Sequence, residues 1–123
     1  MKIYVGHSSS YNFKTELYSP IRNSALNSKF FFILPHENSN ELFSSLEFFK
    51  SKSVDLLIAE VSYPSTGLGI ELGQASSFNI PIACIYKIGN KYSNAVKALT
   101  KNIFEYDEKS LIEVISKIIK LVS

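Results

Sequence analysis

The 123-residue sequence predicts an α/β fold: three layers, α/β/α, around a five-stranded parallel sheet. Three observations predict it. Short apolar runs rich in Val, Ile, Leu and Phe recur five times, the composition of strands buried on both faces of a parallel sheet. Helix-period segments and turn residues separate these runs, as in successive βα units. The last segment places Leu111, Val114, Ile115, Ile118, Ile119 and Val122 at the i, i+3, i+4, i+7 spacing of an amphipathic helix.

Each element follows from local chemistry. Residues 2–6 read as the first strand, and His7, Ser8, Ser9, Ser10, Tyr11 and Asn12 as a polar loop. Such a loop can aim backbone N–H groups at an anion, or can be an ordinary turn. Residues 13–27 read as helical through the stripe Leu17, Ile21 and Ala25, interrupted at Pro20. Residues 29–34 form a second strand closed by Pro35. Asn38, Ser39, Asn40 and Glu41 offer a capping start, and Leu42, Leu46 and Phe49 a helical face to about residue 52. Residues 54–60 are a third strand and residues 80–86 a fourth. Gly89 and Asn90 mark a turn, residues 93–99 a short helix and residues 102–106 a fifth strand. Asp107 or Ser110 can cap the final helix. Right-handed crossovers then favour a flavodoxin-like (Rossmann-like) order, 2-1-3-4-5. That order makes the first and third strands neighbours, so the loops after them share a crevice.

Composition bounds the function. The length fits one domain, residues 1–123. A net charge of +2 gives no argument for polymeric nucleic acid or a membrane surface. Cys84 is the one cysteine, so neither an internal disulfide nor a zinc cluster is expected, which suits a cytoplasmic location. No signal peptide and no membrane-length apolar run is expected. His7, His36 and Cys84 are scattered along the chain, so no metal and no cofactor is expected.

The most informative stretch is residues 54–75: an apolar strand, then Pro64, Ser65, Thr66, Gly67, Leu68 and Gly69, then a helix that begins near Ile70, Glu71 and Leu72. Ligands of open α/β sheets bind beyond the carboxyl ends of the strands. Glu71 falls in the first helical turn on this reading, where the helix dipole would keep it ionised. It is then a nucleophile or stabiliser facing the crevice, or a plain dipole-complementing glutamate. Gly67, Gly69 and Gly73 spell G-x-G-x-x-x-G, one place off the dinucleotide fingerprint, and no Gly-Lys-Ser/Thr follows. Gly73 inside the helix suggests close approach of helix to strand. The first strand lacks the acidic cluster of a receiver domain, and no flavin site is legible.

The run Ala59-Glu60-Val61, followed by Pro64-Ser65-Thr66-Gly67-Leu68-Gly69-Ile70-Glu71-Leu72-Gly73-Gln74-Ala75, resembles the signature of the nucleoside 2-deoxyribosyltransferase family. The closer likeness is to its branch of 2'-deoxynucleoside 5'-phosphate N-hydrolases. The resemblance implies that Glu71 attacks the anomeric carbon of the sugar. It implies an acidic partner near an offset of 24 residues, which is Glu47, on the helix after the second strand; Glu60, at the end of the third strand, is the rival. A pocket lined by the first loop would then include Tyr4, Gly6, His7 and Ser8, with His7 either in the pocket or exposed on the loop. Gly67 and Gly69 belong to the signature. Ser65 stands where transferases of the family carry an acidic residue and the phosphate-requiring hydrolases a serine; a hydroxyl can donate to a phosphate that a carboxylate would repel. Ser93 matches a second serine, which in the hydrolases reaches in from a neighbouring subunit, so a homodimer or higher homo-oligomer is implied. Lys87 and Lys91 add positive charge nearby. The implied substrate is a small-molecule nucleotide. Base exchange on nucleosides, and nucleotide binding without turnover, are the alternatives.

Overall fold

The computed structural model describes residues 1–39 and 43–123. Five parallel strands form one sheet in the order β2-β1-β3-β4-β5. The strands are β1 (Lys2–His7), β2 (Phe31–Ile33), β3 (Leu56–Glu60), β4 (Ile82–Lys87) and β5 (Ile103–Tyr106). Tyr4 pairs with Ile33 on one side and Leu57 on the other, and His7 pairs with Glu60. The carboxyl ends of β1 and β3 therefore lie side by side, as the order 2-1-3-4-5 predicts.

The two-residue period of the strands divides the core into two halves. Ile3, Val5, Leu56, Ile58, Ala83 and Ile85 face one side. There they meet Leu17 of a π-helical turn (Lys14–Tyr18), Ile21 of α1 (Ser19–Arg22) and Leu26 of α2 (Leu26–Lys29). Leu111, Ile115, Ile118 and Ile119 of α5 (Leu111–Val122) close that layer. Tyr4, Leu57, Ala59, Ile82 and Cys84 face the other side. They pack on Phe49 of α3 (Leu46–Lys50), on Leu68, Leu72 and Ala75 of α4 (Thr66–Ser77), and on Val96 of a 3₁₀ turn (Asn94–Ala98). Burial pushes the Cys84 thiol up to about 12, in keeping with a packing role.

Three local expectations are corrected. Of the kink or two short helices that Pro20 implies for residues 13–27, the structure has short pieces, a π-helical turn, a single turn of α1 and then α2, with Pro20 at the start of α1 rather than at a break and the interruption at residues 23–25 instead. The helix of residue 49 starts at Leu46; Asn40, Glu41 and Leu42 lie outside the described residues. Most consequentially, α4 begins at Thr66, with Ser65 as its cap, so Gly67 and Gly69 are helical and Glu71 stands in the second turn.

Candidate active site

The site grows out of the sheet edge. Glu60 ends β3, and after Val61 the chain turns through Ser62, Tyr63 and Pro64 to Ser65. Ser65 is extended (φ −157°, ψ 124°), and its Oγ accepts from Leu68 N at 3.2 Å, satisfying one of the orphan donors of the first helical turn. That cap sets the rotation of α4. Leu68, Leu72 and Ala75 point into the core, and Glu71 falls beside them, half-buried at the carboxyl end of β1. Gly6 makes room for this approach: a Cβ there would lie 2.9 Å from Leu68 Cδ1 and 3.6 Å from Glu71 Oε1.

Glu71 opens into a cavity of about 480 Å³ that Gly67, Ser65, Gln74, His7, Ser9, His36 and residues 43–46 also line. Beneath the carboxylate, the fully buried Tyr4 O–H donates to Oε2. Burial pushes the Glu71 carboxyl above the ordinary carboxylate range, and the Tyr4 hydrogen bond pulls it partly back. The expectation of a helix dipole holding Glu71 ionised is thus corrected: in the second turn, desolvation and a tyrosine set its protonation.

His7 is buried, not exposed on a loop. Its Nδ1–H donates to Ser8 O at 2.8 Å, and its Nε2 accepts from Tyr18 O–H at 2.6 Å. Burial holds it below the usual histidine range, so it is neutral near pH 7. His36, scattered from His7 in the sequence, stands with its ring centroid 5.9 Å away. Among the described residues no group of three or more His, Cys, Asp or Glu could hold a metal ion.

The remaining candidates separate. Tyr4 touches Glu71 rather than the cavity. Ser8 is buried, bonded to Ser10 Oγ at 2.8 Å, and it is Ser9 that lines the cavity. Glu47 is exposed and does not line the cavity. Phe49 is the buried anchor of α3, and a residue two places away lies about 200° around the helix. Glu60 is fully buried on the opposite side of the sheet, where it accepts from Ser62 N at 2.6 Å and from Tyr106 O–H. Lys87 does not line the cavity; its Nζ binds Glu16 and Tyr63 Oη and lies 4.8 Å from the Tyr11 ring centroid.

Ser93 caps the 3₁₀ turn, accepting from Ala95 N at 3.3 Å. With Gly69 and Lys91 it lines a second cavity of about 490 Å³, more apolar, on the other flank of α4. Ser65 and Leu68 line both cavities. Gly73, expected at a close approach, has open space where its Cβ would stand; the close approach belongs to Gly6. Sequence reasoning missed His36, Gln74, Ser45 and Phe43. The strand order offered a signal for His36: it follows β2, whose carboxyl end lies beside that of β1.

No family model matches the chain. Over 38 residues it is 50% identical to a Syntrophotalea carbinolica protein named "Putative 2'-deoxynucleoside 5'-phosphate N-hydrolase 1". The match spans 31% of this chain and 27% of that relative. Among solved structures, it is similar to the CMP N-glycosidase BcmB of Clostridium botulinum, with a TM-score of 0.64 and 20% identity over 94% of this chain and 99% of that one. It is also similar to a conserved protein of Enterococcus faecalis V583, with a TM-score of 0.61 and 19% identity over 96% and 98% of the two chains. The chain thus shares its fold with a CMP N-glycosidase and has a local sequence likeness to a protein named as a nucleotide N-hydrolase, in keeping with the resemblance read from the sequence.

Proposed function

We propose that this protein hydrolyses the N-glycosidic bond of 2'-deoxynucleoside 5'-monophosphates, releasing free base and 2-deoxyribose 5-phosphate. The observation that carries the reading is Glu71: a half-buried carboxyl, steadied on one oxygen by Tyr4 O–H, with its side chain lining a cavity at the carboxyl edge of a parallel sheet. A Glu71 oxygen attacks C1' as the C1'–N bond breaks, and the bonding pair leaves with the base. The sugar is then held as a glycosyl ester of Glu71. Water attacks C1' in turn, the ester oxygen departs as carboxylate, and the configuration is retained. The water's proton balances the one taken up by the base. A 2'-deoxy sugar eases the oxocarbenium-like transition state. Ser65 supports the phosphate part of the reading: its Oγ accepts from Leu68 N and keeps its own proton to donate to a phosphate oxygen.

The test is incubation of the full chain with deoxynucleoside monophosphates and the matching deoxynucleosides, free base being measured by chromatography. Base release from the monophosphates, lost in Glu71→Ala, is the expected result. Release only when a second base is supplied to a nucleoside would make the protein a transferase. Equal release by Glu71→Ala would remove the nucleophile from the account.

A further inference from the structure

We infer that His36 supplies the hydrogen bond that stabilises the departing base, an inference that rests on the glycosidase reading above. Among the described residues, three titratable side chains line the cavity: Glu71, His7 and His36. Glu71 is the nucleophile. His7 has both ring nitrogens occupied, Nδ1 by Ser8 O and Nε2 by Tyr18 Oη. Glu47 and Glu60 lie away from the cavity. His36 remains.

Its place is fixed from behind. Its backbone N–H donates to Tyr18 Oη at 3.1 Å, and Tyr18 in turn donates to His7, so one hydroxyl ties the loops after β1 and β2 together. The next residue, Glu37, takes a bidentate grip from Arg22, at 2.8 Å to each oxygen. The ring packs 6.1 Å from Phe13 and 5.9 Å from His7, centroid to centroid.

Its chemistry follows from which nitrogen is sealed. Among the described residues, Nδ1 is buried with no hydrogen-bond partner. A buried N–H without an acceptor is rarer in folded proteins than an under-satisfied acceptor, so the bare nitrogen is assigned there. The N–H able to donate is then the one on Nε2, the nitrogen not sealed, on a ring that lines the cavity. What a glycosidase cavity needs at that place is a donor to the acceptor atom beside the glycosidic nitrogen, O2 of a pyrimidine or N3 of a purine. Negative charge gathers there as the C1'–N bond breaks. The proton stays on His36, the base departs as a hydrogen-bonded anion, and it takes its proton from water; the hydrolytic water of the second step returns one. A donor preorganised at developing charge contributes about 10²–10³-fold in rate.

The experiment compares two leaving groups. The natural one is the deoxynucleoside monophosphate that the wild-type protein cleaves fastest. The other is 4-nitrophenyl 2-deoxyribose 5-phosphate, whose phenolate departs without help. His36→Ala should cut kcat on the first by about 10²-fold or more. It should leave nitrophenolate release within about threefold of wild type, where the leaving group takes up most of the charge itself. His36→Gln, which keeps an N–H donor, should recover part of the loss. Equal losses on both substrates, or no loss on either, would overturn the role of His36 while Glu71 dependence kept the glycosidase reading intact. Release of neither leaving group by the wild-type chain would overturn that reading and this inference with it. An urea midpoint for His36→Ala close to wild type separates lost chemistry from lost fold.

Discussion

Two carboxyl groups sit at the same edge of this sheet, each bonded to a tyrosine, and they have opposite fates. Glu60 is 0% exposed; Ser62 N–H occupies one oxygen and Tyr106 O–H the other. Glu71 is half-buried; Tyr4 O–H occupies Oε2, and the side chain lines the cavity. The strand period puts Glu60 on the α5 side of the sheet, and the Ser65 cap puts Glu71 on the α4 side. A carboxylate with donors on both oxygens and no solvent is a structural joint. With a donor on one oxygen and a cavity beside it, the same group has a lone pair left for chemistry. Reactivity here is decided by the number of donors, not by residue type.

The largest expected effect separates the two by function. Glu71→Ala should lower kcat for base release by more than about 10³-fold, roughly 4 kcal/mol of barrier. The folded-state pKa of Glu71 is raised, so its contribution to stability is fully present below the unfolded value and is lost as pH rises through the folded value. Glu71→Gln should therefore gain in melting temperature over wild type, the gain growing from acid to neutral pH. A stability loss at neutral pH would erase the contrast with Glu60.

Next is the structural joint. Glu60→Ala orphans two buried donors and should cost about 3 kcal/mol in urea unfolding, each unsatisfied group costing about 1–3 kcal/mol. The glycosyl-transfer step in the fraction that stays folded should be unchanged.

The tyrosines sharpen the comparison further. Tyr4→Phe removes the hydrogen bond that pulls the Glu71 carboxyl down. The acid limb of kcat/KM, above the ordinary glutamate range already, should move to still higher pH. A hydrogen bond to a charged group is worth about 1.5–3 kcal/mol, so the neutral-pH rate should fall by about ten- to a hundredfold. Tyr106→Phe should lower stability by a similar energy and leave that pH limb in place. Movement of the limb in both variants would mean that the two sites are coupled.

The smallest effect distinguishes two glycines. Gly73→Ala, in open space on α4, should stabilise by up to about 1 kcal/mol through helix propensity. Gly6→Ala pushes on Leu68, whose Cδ1 a Cβ would meet at 2.9 Å beside Glu71, and should lose activity instead. Thermal melts and base-release rates on the pair check both signs.

Much of this was legible in the sequence. Apolar runs separated by turn chemistry carry the strand count, because two-face burial leaves a compositional trace, and the right-handed crossover rule carries the order. Glu71 was found from its neighbours. Its environment was not, because glycines at 67 and 69 read as loop, whereas the Ser65 cap starts the helix ahead of them. The family resemblance placed Glu47 near the chemistry; helix rotation about Phe49 turns it to solvent. His36 carries no local signal at all: its meaning appears only when β2 is laid beside β1.

Ser65 carries one more lesson. Helix α4 asks of this position only a short side chain with an oxygen that can accept from Leu68 N–H, and aspartate meets that demand as well as serine does. The charge at the rim of the cavity is consequently free to vary without penalty to the scaffold. On the proposed function, an architecture of this kind can change which sugars it admits, esterified or bare, through one exchange at this position, with Glu71 left where it is.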